Sequence, residues 1–243
     1  SANTTTLNFG KAGGSNSIIV NTDAPKWKMT SNSDWLQISQ TTGSTGKSTV
    51  SFTATAYSGD GTREASITLS ADSVPSIVIS AYQIGNLYPS YNTSPKTADA
   101  SGMSSNAVKL ASKIKLGWNI GNTLEASGGE TAWGNPMVTK AFIDFVKLSG
   151  FNAIRIPCSW NQNMANSKTA EIKAAWLNRV KEVVQYCIDD SLYVLLNIHW
   201  DGGWLETNCT LAAQEANNAK QKAFWEQIAT TMEGFDEHLL FAS

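Results

Sequence analysis

Hydrophobic residues repeat with two different periods along this chain, and the change falls within one short stretch. From Thr4 to Ile84 apolar positions alternate, as in Leu7 and Phe9, Ile67 and Leu69, and Ile77 and Ile79. Gly13-Gly14, Gly43, Gly46 and Gly59-Asp60-Gly61 punctuate the runs as turns do. Alternation puts every second side chain on one face, which is the pattern of a half-buried strand. The spacing predicts about seven strands, at 4–9, 16–22, 26–30, 36–40, 48–56, 63–71 and 75–84, as an all-β, immunoglobulin-like sandwich requires. Residues 85–98 carry Pro89, Pro95 and no periodicity, and read as a linker.

Beyond the linker apolar residues recur at helical spacing over 104–114, 137–149, 171–190 and 211–234. Between them lie short, nearly continuous apolar runs at 114–120, 151–158 and 192–199. Such runs between helices belong to a parallel sheet covered on both faces. His238-Leu-Leu-Phe-Ala-Ser243 opens a fourth strand. The expected organisation is multidomain: a sandwich over 1–84, a linker over 85–98, and over 99–243 the first three βα units and the start of strand four of a (β/α)8 barrel. A closed barrel takes about 250 residues, so the barrel is expected to be truncated.

Composition removes several function classes. Lys plus Arg number 18 against 20 Asp plus Glu, a net charge of -2, so no basic field exists to gather nucleic acid. No apolar run reaches the roughly 18–20 residues of a membrane-spanning helix, so no transmembrane segment is expected. Cys158, Cys187 and Cys209 are odd in number, show no CxxC spacing and read as unpaired thiols. The two histidines, His199 and His238, lie far apart and cannot form an HExxH or three-histidine zinc site, so no catalytic metal is expected, and no cofactor is expected either. Residue 1 is Ser and no leader precedes it, so the sequence reads as a processed product or an excerpt.

In parallel α/β folds chemistry sits where strands end and loops begin. Here those positions carry Asn122, Glu125 and Trp133 after the first strand, Arg155 within the second, and His199, Trp200, Asp201 and Trp204 after the third. Amide, carboxylate, guanidinium, imidazole and indole groups at one rim suit a sugar ring, which needs paired hydrogen bonds to hydroxyls and flat apolar faces. Trp118 and Trp176 read as core, whereas Trp133, Trp200 and Trp204 lie in glycine-rich loops and read equally as sugar platforms. Arg155 in an apolar strand calls for a carboxylate partner across the barrel mouth. Glu206 reads as a solvated loop carboxylate, and Asp201 as a loop carboxylate that caps or solvates.

Gly117-Trp-Asn-Ile-Gly-Asn-Thr-Leu-Glu-Ala126, Glu130-Thr-Ala-Trp-Gly-Asn-Pro136, Ile154-Arg-Ile-Pro157 and Asn197-Ile-His-Trp-Asp-Gly-Gly-Trp204 together resemble the opening third of glycoside hydrolase family five, in its endo-β-1,4-glucanase and xyloglucanase subgroup. The resemblance implies a (β/α)8 barrel that cleaves β-glucan with retention. It implies that Arg155 orients the nucleophilic carboxylate, that His199 lines the subsite of the scissile sugar, and that Asn122 and Glu125 contact the next sugar. Trp200 stands where many members have a second histidine. The acid/base glutamate, expected in an Asn-Glu-Pro motif after strand four, and the nucleophile after strand seven are both expected beyond residue 243. The 243 residues alone are therefore expected to be inactive. Glu125 and Asp201 are not expected to replace the missing pair.

Trp27, Ser33-Asp-Trp-Leu36, Arg63 and Tyr82-Gln83 resemble the BACON domain found ahead of bacterial carbohydrate-active enzymes. Trp27 and Trp35 on strands read as core, which favours a spacer over a sugar-binding module. The implied localisation is secreted, periplasmic or on a bacterial cell surface, with any tether upstream of residue 1. The rival reading is a non-catalytic carbohydrate-binding or adhesive surface protein.

Overall fold

Period-two alternation becomes eight strands in the computed structural model, which describes residues 1–97 and 100–242: β1 (Thr6–Phe9), β2 (Gly14–Thr22), β3 (Trp27–Ser31), β4 (Leu36–Ile38), β5 (Thr42–Gly43), β6 (Gly46–Ala54), β7 (Thr62–Ala71) and β8 (Val74–Ile84). Ala98, Asp99 and Ser243, the last residue of the expected linker and both ends of the expected barrel segment, lie outside the described residues. The chain divides into two compact units, Ser1–Pro89 and Ser90–Ser243.

In the first unit five strands pair in the order β1-β8-β7-β3-β5 and three in the order β2-β6-β4. The alternating side chains of both sheets meet in one core: Leu7, Trp27, Met29, Ile67 and Ile79 from the first, Ile18, Val50 and Phe52 from the second. Trp27 belongs to this core, as its strand position predicts, whereas Trp35 lies just before β4 and packs against the core only partly buried. β5 is the strand that sequence pattern does not show. It is two residues long, and it lies on β3 because Gly43 has no side chain: a Cβ there would stand 2.3 Å from the Trp27 indole.

Arg63 closes one end of this unit. Its guanidinium lies between the rings of Trp35 and Tyr57, 4.4 and 4.5 Å from their centroids, and donates twice to Oε1 of the buried Gln83. Gln83 donates in turn to the carbonyls of Gly10 and Thr55, so that its polar atoms are matched although no water reaches them.

The second unit is built on an all-parallel sheet in the order β14-β13-β10-β9. Its elements are α1 (Ala107–Lys113), β9 (Gly117–Asn119), α2 (Lys140–Leu148), β10 (Ala153–Cys158), β11 (Met164–Asn166), β12 (Glu171–Ile172), α3 (Ala174–Asp189), β13 (Tyr193–Ile198), α4 (Leu211–Thr231) and β14 (Leu239–Ala242). Successive strands of the sheet are neighbours joined through helices, the arrangement a right-handed βαβ series produces. Asn106, Thr139 and Thr210 cap α1, α2 and α4 with side-chain oxygens. On α3 the buried Val180, Val183, Val184 and Cys187 follow helical spacing against the sheet.

The helix expected at 171–190 begins later, at Ala174, because Glu171–Ile172 pairs with β11 in a small antiparallel ribbon. Trp118 is also not core: it is 42% exposed on the edge strand β9, packed edge-to-face on Phe151. A short strand at a sheet edge has a neighbour on one side only.

Two carboxylates, Glu237 buried and Glu226 partly buried, pin the ends of the second unit. Glu237 accepts from the Ser104 N–H and hydroxyl, the Ser105 hydroxyl and the Lys113 ammonium, tying the segment before α1 to the start of β14. Glu226 on α4 accepts from the N–H groups of Tyr91 and Asn92 at 2.7 and 3.2 Å. Within the expected linker, Ser90–Asn92 is therefore held on α4, while Gly85 and Asn86 bond to Gly61 and Gly59 in the first unit.

Candidate functional site

Parallel strands bring their carboxyl ends, and the loops that leave them, to one rim. Register sets what meets there. Arg155 on β10 is the Cα partner of Asn119 on β9. Its Nη1 donates to Asn119 Oδ1 at 2.8 Å, and its Nη2 lies 3.1 Å from His199 Nδ1. A guanidinium has no lone pair to offer, so Nδ1 is the acceptor and the imidazole proton sits on Nε2. His199 is one residue past β13, where its N–H still bonds to the Cys158 carbonyl and continues the ladder.

Among the described residues both side-chain partners of Arg155 are uncharged acceptors, and the carboxylate partner that its place in an apolar strand suggests is not among them. Asn119 is the residue of this cluster that sequence reasoning passed over. It stands inside the Gly117-Trp-Asn motif, and only strand pairing reveals that it faces Arg155.

The loop after β9 is organised by two acidic groups. Glu125 is 6% exposed, and its carboxylate accepts the N–H groups of Asn122 and Thr123 at 2.5 and 3.0 Å. Its oxygens hold the loop's own backbone. That turn places Asn122, with φ of 62°, on the surface with its amide unpartnered among the described residues. A polar asparagine tolerates this left-handed conformation better than a branched residue would. Asn135 steadies the same turn by donating to the Gly121 and Asn122 carbonyls. Glu130 forms a two-pronged ion pair with Arg179 of α3 and accepts the Val138 N–H. This pair brackets the segment that presents Trp133, which is 49% exposed.

After β13 the pattern repeats. Asp201 is buried and accepts N–H groups from Trp160, Asn161 and Gln162, capping the 3-10 turn at Asn161–Asn163. Burial pushes its carboxyl above the usual range, against the pull of those donors. Trp200 is 47% exposed and lies over Gly203, where a Cβ would come within 2.7 Å of the indole. Trp204 is half-buried, edge-to-face on Phe224 with the Lys220 ammonium 4.8 Å from its ring.

The expected site residues thus sort by exposure and partner. Arg155 and His199 are bonded to each other, Asn122, Trp133 and Trp200 present free polar or indole surface, and Glu125 and Trp204 support loops. Glu125 and Asp201 both have their oxygens engaged by backbone donors, which suits neither to act as an acid/base pair. Among the described residues no group of three or more His, Cys, Asp or Glu side chains could hold a metal ion. No described helix is long and apolar enough to cross a membrane.

Residues 119–243 match the cellulase model of glycosyl hydrolase family 5, and residues 26–83 match the BACON model of an N-terminal binding domain. A xyloglucan-specific endo-beta-1,4-glucanase of Bacteroides ovatus is 34% identical over 97% of this chain and 48% of its own length. The chain therefore spans about half of that relative. Among solved structures, a Bacteroides ovatus GH5 xyloglucanase in complex with a XXXG heptasaccharide superposes with a TM-score of 0.59 at 34% identity, covering 98% of this chain and 53% of its own. A GH5-4 broad-specificity endoglucanase from Ruminococcus champanellensis with bound cellotriose gives a TM-score of 0.54 at 44% identity over 56% of this chain and 42% of its own.

Proposed function

This chain belongs to glycosyl hydrolase family 5, and from that premise we propose that it is the opening part of a retaining, endo-acting hydrolase of β-1,4-glucan backbones such as cellulose, xyloglucan or mixed-linkage glucan. The observation that carries the reading is the Asn119–Arg155–His199 cluster at the strand ends, where a guanidinium has fixed geometry and, among the described residues, no anionic partner. Such a group is prepared to receive a carboxylate.

Retaining hydrolysis uses two carboxyl groups about 5–5.5 Å apart, one attacking the anomeric carbon and the other protonating the leaving oxygen and then activating water. In our reading both glutamates lie on polypeptide beyond residue 243. Arg155 then bonds the attacking carboxylate and keeps it ionised. His199, with its Nε2–H directed away from Arg155, donates to a hydroxyl of the sugar being cleaved. Asn122 contacts the next sugar, while the exposed indoles of Trp133 and Trp200 offer apolar faces to sugar C–H surfaces. Glu125 and Trp204 act one step back, by shaping the loops.

We read the first unit as a spacer, and the protein as secreted, periplasmic or on a bacterial cell surface, tethered if at all upstream of residue 1. The test of the catalytic reading is direct. The full-length polypeptide should release reducing ends from xyloglucan or carboxymethyl-cellulose, and these 243 residues alone should release none above a heat-killed control. Turnover by the 243 residues would refute the placement of the glutamates. A full-length polypeptide that binds cello-oligosaccharides without cleaving them would establish a binding protein instead.

A further inference from the structure

The two acceptors that hold Arg155 differ in origin. His199 reaches it from the loop after β13, whereas Asn119 is on the neighbouring strand at the same register level. A strand residue is held by its ladder, so its Oδ1 is a more exact anchor than a loop atom. The position is also protected by its surroundings: an ideal Cβ on Gly121 would stand 2.9 Å from Asn119 Nδ2, so a side chain at 121 would push the amide out of place.

We propose that Asn119 is a positioning residue for Arg155, a neutral clamp that fixes the plane of the guanidinium while leaving its charge to an anionic group of the reaction. This deepens the glycosidase reading above and rests on it. The choice of amide over carboxylate is what gives the clamp its meaning. An aspartate of nearly the same shape would pair with Arg155 as an ion and neutralise it before the reacting carboxylate arrives. With two N–H groups engaged by Asn119 and His199, the remaining donors of the fork stay available.

The experiment uses the full-length polypeptide carrying Asn119→Ala, Asn119→Asp or Gly121→Ala, assayed on xyloglucan and carboxymethyl-cellulose, with 15N NMR of the His199 ring in parallel. Asn119→Ala and Gly121→Ala are expected to lower kcat roughly 10- to 100-fold with KM changed by no more than about twofold, the cost of small misplacement at a reacting centre. Asn119→Asp should lower kcat further and move the acid limb of the kcat/KM profile to higher pH, because an Arg155 already paired with Asp favours ionisation of the reacting carboxylate less. It should also abolish the unprotonated Nδ1 signature of His199, as the guanidinium turns to the new carboxylate. Variants that only melt earlier, with the acid limb and the His199 signals unchanged, would overturn the clamp and leave Asn119 a structural residue. Gly121→Ala keeps Asn119 itself and so guards against a variant that merely fails to fold. If the wild-type protein cleaves no β-glucan yet Asn119→Asp still shifts the His199 signals, the glycosidase reading fails while the clamp on Arg155 stands.

Discussion

Nη2 of Arg155 stands 3.1 Å from Nδ1 of His199, which makes the imidazole an acceptor on that side and a donor on the other. A strand and a loop are thereby joined at the rim through one hydrogen bond whose direction is dictated by the guanidinium.

Replacing Arg155 by Lys keeps the charge and removes the fork. An ammonium on a flexible stem cannot hold Asn119 and His199 at fixed angles while also receiving a carboxylate. In the full-length protein Arg155→Lys is expected to lower kcat by about 100-fold with a smaller change in KM. Steady-state kinetics on xyloglucan check it, and activity within threefold of wild type would contradict the role given to the fork.

Glu237 sets an acid limit on the second unit. Hydrogen bonds from Lys113 and Ser104 hold its pKa at about 2, below the 4.5 of an ordinary glutamate. Because the folded value is the lower one, its stabilisation is complete above the unfolded value and fades as pH falls from about 4.5 toward 2. Thermal midpoints of wild type and Glu237→Gln should therefore differ at pH 6 and converge as the medium approaches pH 2. A constant difference across that range would show that the carboxylate charge is not what matters.

Glu130 and Arg179 form a nearly buried pair, with side chains 8% and 15% exposed. Truncating Glu130 leaves Arg179 with only the exposed Glu182 as a counter-charge, and losing a buried partner typically costs about 3–5 kcal/mol. Glu130→Ala should show that loss in urea unfolding and should also loosen the segment bearing Trp133. Arg179→Met with Glu130→Leu, which removes both charges, should recover much of it.

The three thiols should separate by reactivity. Cys209 is exposed, whereas burial pushes the Cys187 thiol up to about 12 and raises that of Cys158 as well. One equivalent should react quickly with a thiol reagent at pH 8 and two only after denaturant is added. Rapid reaction of all three would contradict the packing of α3 and β10.

Much of the architecture was legible because burial imposes a period. The alternation of Ile67 and Leu69 and the nearly continuous apolar run Tyr193–Ile198, interrupted by Asn197, each point to one arrangement that hides most of their side chains, a half-covered sheet in one case and a sheet covered except at Leu195 in the other. The elements that pattern did not show are those made by something other than burial. β5 exists because a glycine lets a backbone lie on an indole, and the Glu171–Ile172 strand because a neighbouring loop offers it a partner.

For the site, sequence alone determined which chemical groups gather at the strand ends, since a side chain's place after an apolar run fixes the rim it belongs to. Only the tertiary structure decided how they divide the work. Glu125 looks in sequence like a carboxylate for a sugar, yet it is turned onto backbone N–H groups; Asp201 takes the capping role, one of the two its loop position offered; and Asn119, unremarkable inside an apolar run, holds the guanidinium of Arg155. Hydrogen-bond partners depend on strand register and loop closure, distances that no local pattern of residues encodes.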